Sequence, residues 1–154
     1  MANINLNWCK KQEKGISLVE PNVNLSEDYL KSAQETLLLL KDVHNKSNMW
    51  TATMKYYCEY FAVYSVLIRI GIKCEIHDCT IKLVELFEEK NILPKGTHER
   101  LNKDKGLRID NQYYLKNIKV NIDFNELSDF VLKMKDLASS ITLDDIKKCR
   151  TLVL

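Results

Sequence analysis

The sequence predicts an all-α fold, an antiparallel up-and-down bundle of four to five helices with short flanking helices. Three observations lead there. The chain has 4 glycines and 2 prolines among 154 residues, against roughly 18 of the two together at average usage, so turns are few. A sandwich or barrel, which needs a turn every roughly 8–12 residues, is all but excluded. Apolar residues recur three and four apart over long windows, and no segment alternates convincingly with a period of two. With 45% hydrophobic and 29% charged residues, the chain suffices for one core rather than two.

Asn5 to Lys14 reads as a short first helix stopped by Gly15, and Ile16 to Pro21 as an extended linker, because Pro21 disfavours helix at its predecessor. Residues 1–23 are therefore a short helix and leader, 24–141 the bundle, and 142–154 a short C-terminal helix and tail. Asn24, followed three residues later by Glu27, opens the bundle like a capping box, and Leu25, Tyr29, Ala33, Leu37 and Leu40 recur at helical spacing to about Val43. After the polar break Asn45 to Asn48, the most apolar helix runs from Met49 to Ile70 and ends at Gly71. Tyr57, Phe61, Tyr64 and Ile68 line one stripe of it, and Tyr56, Tyr60, Val63, Leu67 and Ile70 line the next, which puts this helix at the centre. Ile76 to Lys90 is a third helix with Ile76, Thr80, Leu83, Val84 and Phe87 inward, before a break at Asn91 to Pro94. Lys95 to Arg108 holds Lys95, Arg100, Lys103, Lys105 and Arg108 with His98, against only Glu99 and Asp104, and reads as a basic, weakly patterned connection. A short apolar-aromatic stretch, Gln112 to Ile118, follows it. Asp123 and Glu126 form a second capping-box-like start, and Phe124, Leu127, Val131, Met134, Ala138 and Ile141 make a bundle seam. A last short helix starts at Thr142 and includes Ile146.

Composition also bounds function. A formal charge of +2 is too small to announce nucleic acid by bulk electrostatics, so any basic site must be local. Phosphate-cradling and dinucleotide loops lack their glycines, and no cofactor is implied. No apolar run is long enough to span a bilayer, and the polar opening Met1 to Asn7 lacks the basic-then-apolar layout of a signal peptide. A soluble cytoplasmic protein without membrane contact is the expectation. The five cysteines, Cys9, Cys58, Cys74, Cys79 and Cys149, are accordingly expected as reduced, mostly packed thiols.

Cys74, His77 and Cys79 have a spacing that soft metal ligands can use, yet a further ligand is needed and a helix starting near Ile76 points His77 and Cys79 apart, so no metal is assigned. Cys58 sits mid-helix with nothing to lower its pKa and reads as core. Among His44, His77 and His98, His77 is best placed for proton transfer, at the edge of the core; the alternative is a helix-start histidine that satisfies backbone or solvent. The aromatic stripe of Trp50, Tyr56, Tyr57, Tyr60, Phe61 and Tyr64 suits a core, a dimer interface or a base-stacking platform, with core packing favoured. Arg69 complements the end of its helix and lies shortly before His77.

The run Trp50 to Gly71 with its Tyr56-Tyr57 pair and Tyr60-Phe61, then Gly71-Ile72, His77, Ile81, Leu83 and Phe87, resembles the central helices of HEPN domains. In that family an aromatic helix ends in Gly-Ile, and a short polar stretch leads to a histidine at the next helix. Arg108 stands five residues before Tyr113, similar to the family's Arg-x-x-Ala-Asp-Tyr segment, with Gln112 in place of the Asp. The resemblance covers roughly Asn24 to Ala138, and the leader from Trp8-Cys9 to Pro21-Asn22 is similar to that of archaeal-type members associated with small nucleotidyltransferases. It implies a helical bundle that forms a homodimer, with a minimal nucleotidyltransferase as possible partner, in a toxin–antitoxin or RNA-targeting system. Active members are metal-independent RNases with an Arg-then-His motif; here seven residues separate Arg69 from His77, more than that motif has. By the resemblance, His77 and Arg108 are the catalytic candidates, and Arg69, Lys73, Arg108 and Tyr113 the candidates for binding nucleotide or RNA.

Such a set suits a phosphodiester: Arg108 can grip a phosphate with two parallel hydrogen bonds, and His77 can exchange a proton near neutral pH. Three readings follow, namely a binding subunit for nucleotide or RNA, a metal-independent endoribonuclease using His77 and Arg108, and a helical adaptor without ligand. In the last, Arg108 pairs with a carboxylate such as Asp78 or Asp110 and only fixes the bundle.

Overall fold

A computed structural model describes residues 4–154. In chain order its elements are α1 (Leu6–Lys11), β1 (Ser17–Leu18), α2 (Val23–Val43), α3 (Asn48–Ile70), β2 (Ile72–Lys73), α4 (His77–Glu89), α5 (Thr97–Gln112), α6 (Phe124–Ser140) and α7 (Leu143–Val153). The all-α expectation holds, with 71% helix and 3% strand, and α3 is the axis on which α2, α5 and α6 pack. Ser47 caps α3 by accepting from the Trp50 N–H at 3.1 Å. Gly71, at φ 91°, ends it in the left-handed conformation that closes helices without a Cβ clash.

Several boundaries move for local reasons. The cap of α2 is Asn22, whose side chain accepts from the Leu25 N–H at 2.9 Å, rather than Asn24. The helix phase then turns Leu25 outward and buries Ser26, which donates its hydroxyl to the Ser65 carbonyl at 2.6 Å. The first helix is shorter than Asn5 to Lys14: it ends at Lys11, and the Ile16 N–H folds back to the Cys9 carbonyl at 3.0 Å. The extended linker finds a partner that its sequence did not reveal, since β1 pairs antiparallel with β2, Ser17 opposite Lys73 and Leu18 opposite Ile72.

Two expectations fail. Cys9 and Cys79 are not reduced thiols but a disulfide, joining α1 to α4 across 70 residues of chain; Cys58, Cys74 and Cys149 are free and buried. Burial pushes the Cys58 thiol up to about 12, in keeping with its expected core role. The basic connection from Lys95 to Arg108 is instead most of α5, a four-turn helix. Its buried stripe is Thr97, Leu101, Asp104, Arg108 and Asn111, which has helical spacing but only one apolar member, so hydrophobic periodicity could not find it. Its first turn is held from outside: the Glu88 carboxylate accepts from the backbone N–H groups of Gly96 and His98 and meets His98 Nδ1 at 2.8 Å.

The C-terminal helix closes the molecule. Thr142 and Asp145 form a full capping box at its start. Arg150 Nη1 then donates to the carbonyls of Val19 at 2.7 Å and Gly71 at 2.8 Å, tying the leader and the end of α3 together. No described helix is long and apolar enough to cross a membrane.

Titration of the unfolded, unreduced chain is expected to find three thiols per molecule, and five would refute the Cys9–Cys79 bond. Opening a loop of 70 residues is expected to cost about 4 kcal/mol by chain entropy, read as a lower urea midpoint in reductant. A Gly71→Ala change puts a Cβ 2.5 Å from the Val19 carbonyl oxygen at φ +91° and is expected to lose more than about 1 kcal/mol; an unchanged midpoint would disprove that crowding.

Candidate functional site

Tyr56, Tyr60 and Tyr64 recur one turn apart along α3 and stand ring beside ring, with centroids 5.7 Å apart at each step. All are buried, so each hydroxyl needs a partner, and each finds one on the segment entering or starting α4. Tyr56 Oη lies 2.7 Å from His77 Nδ1, Tyr60 Oη lies 3.0 Å from Thr80 Oγ1, and Tyr64 Oη accepts from the Cys74 N–H at 2.9 Å. Burial raises the pKa of all three phenols, that of Tyr64 to about 12, and keeps them neutral.

His77 is the first residue of α4 and lies flat on Tyr60, centroids 4.2 Å apart and planes within 14°. The Tyr57 ring meets it edge-on at 5.9 Å. The contact between Tyr56 Oη and His77 Nδ1 orients the ring in either tautomer, and the one with its hydrogen on Nδ1 leaves the Nε2 lone pair free. Burial lowers the His77 pKa below its ordinary 6.5, and the positive charges of Arg108 and Lys105 lower it further against the opposing pull of Asp78. The imidazole is therefore neutral at pH 7.

Arg108 comes from the buried stripe of α5. Its guanidinium carbon sits 5.1 Å from the Tyr56 centroid, 5.5 Å from that of Tyr57 and 6.0 Å from that of Tyr113, an aromatic cage that favours a cation. Its polar contacts are few. Nη1 reaches Gln112 Oε1 at 3.4 Å, and Nε is buried with no acceptor. Neither carboxylate expected to hold it does so: Asp78 is bound by Lys105, and Asp110 pairs with Lys116 at 3.1 Å.

Three sequence candidates thus meet, since His77 contacts Tyr56 and Tyr57, Arg108 stacks on the same two rings, and the exposed Tyr113 lies beside Arg108. The other two stand apart. Arg69 borders a groove between α2 and α6 with Val23, Glu27 and Lys135, about 20 Å along α3 from Tyr56 at a rise of about 1.5 Å per residue. Lys73 is exposed in β2, 3.8 Å from Glu75. Lys105 and Asp78 join α5 to α4 next to His77; the sequence marks Lys105 only as one of several basic residues and Asp78 only as a possible partner of Arg108. The spacing of Lys105 and Arg108 puts both on one helical face, a signal readable only once the segment is known to be a helix.

The Cys74, His77 and Cys79 spacing builds no ligand set. Cys79 sulfur is bonded to Cys9, Cys74 Sγ donates to the Ile76 carbonyl at 3.3 Å, and His77 Nδ1 faces Tyr56. A cleft lined by Val66, Ile92, Leu137, Cys149 and Leu152 together with Lys90, Asp145 and Lys148 lies elsewhere, and burial pushes its thiol, Cys149, up to about 11. The arrangement around Arg108 has the chemistry to grip an anion: a caged guanidinium with few polar contacts, a neutral imidazole beside it, and an exposed phenol ring at the rim.

The His77 imidazole is expected to titrate below 6.5 by NMR, and Arg108→Gln, which removes the neighbouring charge, to raise that value. An unmoved midpoint would mean that the guanidinium does not face the ring. Because folding lowers this pKa, the stability it contributes is fully present above about pH 6.5 and is lost as pH falls through the folded value. Compared with protein-family models, curated proteins and solved structures, the chain has no match.

Proposed function

We propose that this chain is a HEPN-like helical protein that binds RNA or a nucleotide at the Arg108 cage, as a homodimer and with a minimal nucleotidyltransferase as candidate partner in a toxin–antitoxin setting. One observation carries the ligand part of this reading: Arg108 is a nearly buried cation, 8% exposed, with no carboxylate partner among the described residues and an Nε–H without an acceptor. A nearly buried guanidinium without a counter-charge is costly, and a phosphate reaching its terminal nitrogens lowers that cost. Tyr113, exposed beside it, offers a face on which a base can stack. The homodimer and the nucleotidyltransferase rest on the family resemblance.

A second reading is favoured by His77. Its neutral ring lies next to the cage, and the Tyr56 hydroxyl holds Nδ1 so that the ring is oriented. In a metal-independent RNase the 2′-hydroxyl attacks the adjacent phosphorus. The imidazole exchanges protons with the reacting oxygens, and Arg108 stabilises the charge that develops on the phosphoryl oxygens. The cleaved strand then ends in a 2′,3′-cyclic phosphate, and the leaving 5′-oxygen takes up a proton.

Binding of a fluorescent single-stranded RNA is expected to weaken with rising salt, and Arg108→Ala to weaken it about tenfold or more, the value of a charge-assisted phosphate contact. An affinity blind to both would sink the ligand reading and leave the adaptor. If RNA is cut in chelator, His77→Ala is expected to abolish cutting while binding persists; an unchanged rate removes His77 from the chemistry.

A further inference from the structure

Glu59 of α3 and Asp104 of α5 face each other in the seam between the two helices, 0% and 2% exposed. One oxygen of each goes to cations. Glu59 Oε2 accepts from Arg100 Nη1 at 2.7 Å and lies 3.6 Å from Lys55 Nζ, while Asp104 Oδ2 accepts from Lys55 Nζ at 2.6 Å. The remaining oxygens, Glu59 Oε1 and Asp104 Oδ1, are buried and have no donor. Both carboxyls meet the same Lys55 ammonium, and two ionised carboxylates so close repel, whereas one hydrogen between them relieves the repulsion and supplies the missing donor.

The surrounding charges agree. From α3 comes Lys55, and Tyr56 and Cys58, which burial keeps neutral, stand near Glu59 on the same helix. From α5 comes Arg100, and from α6 comes Glu126, which binds the other arm of Arg100. The cleft above is edged by Lys95 of the α4–α5 connection, by Glu99 and Lys103 of α5, and by Asp129 and Lys133 of α6. In direct contact, two cations thus meet three carboxylates, and a single proton restores neutrality.

We propose that Glu59 and Asp104 hold one proton between them in the native state near neutral pH, and that this proton seats α5 on α3. Desolvation, which holds the Glu59 carboxyl well above its ordinary 4.5 while the neighbouring Lys55 helps to keep Asp104 below its ordinary 3.8, places the hydrogen on Glu59. Asp104 directly precedes Lys105 and stands one turn before Arg108, so the same seating sets the helix that carries both cations to His77. This inference does not depend on what the Arg108 cage binds. Because folding raises the Glu59 pKa, the stability that the proton confers is full below about pH 4.5 and declines as pH rises through the folded value.

The test counts the proton. At about pH 6.5 both carboxyls are ionised in the unfolded chain, so denaturant unfolding is expected to release about one proton more per molecule from the wild type than from Glu59→Gln, whose amide takes over the donor role. Carboxyl-carbon NMR of the folded wild type is expected to find Glu59 at the position of a protonated acid at the same pH, a measurement that needs no variant to fold. Equal proton release by the two chains, or a Glu59 carbon at the ionised position, overturns the proposal.

Discussion

A phenol removed from water must keep a hydrogen-bond partner, and in this protein three phenols on one helix make that demand at once. Tyr56, Tyr60 and Tyr64 carry enough ring to be drawn into the core and enough polarity to need a specific exit from it. The segment from Cys74 to Thr80 supplies the exit, one contact per turn of α3. The start of α4 is therefore fixed in register and in rotation against α3. His77 shares in this ladder: at the first residue of α4 its ring lies flat on Tyr60 and its Nδ1 meets Tyr56.

The opposite side of the site obeys a different constraint. α5 buries Thr97, Asp104, Arg108 and Asn111 as well as Leu101. A helix buried on polar groups gains little from hydrophobic transfer and depends on each of those groups finding its complement. Lys55 and Arg100 answer the carboxylates, and the rings of Tyr56 and Tyr57 answer Arg108. The interaction is selective because a partly satisfied network of this kind is worse than an apolar one. The departures from full satisfaction, at Glu59, Asp104 and Arg108, mark the places where a proton or an anion has something to do.

The end of α3 gathers the remaining parts of the chain. Gly71 turns left-handed, and its carbonyl receives the Val19 N–H at 2.8 Å as well as Arg150, so the leader, the short sheet and α7 all meet at one point. A disulfide between α1 and α4 adds a covalent tie close to His77. The described segments 4–23 and 142–154 consequently pack into the bundle rather than trail from it: Cys9, Cys149 and Val153 belong to its core.

What the sequence determined by itself was whatever local apolar spacing and capping signals encode: the helical class, the central place of α3 with its two apolar stripes, α4 and α6 by their seams, the cap at Asp123 and the start of a last helix at Thr142. His77, Arg108 and Tyr113 were candidates together only through the resemblance to HEPN domains, since residue types alone mark His77 as a proton carrier and Arg108 as a phosphate ligand without joining them. Only the tertiary structure decided that α5 is a helix, since its buried stripe is polar and its first turn is capped by Glu88 from another element. It alone decided that β1 has a partner, that Cys9 meets Cys79, and that Arg108 stands among tyrosines while Arg69 lies a helix length away. Each of these depends on groups far apart in the chain, and spacing along one segment carries no information about what a second segment brings to face it.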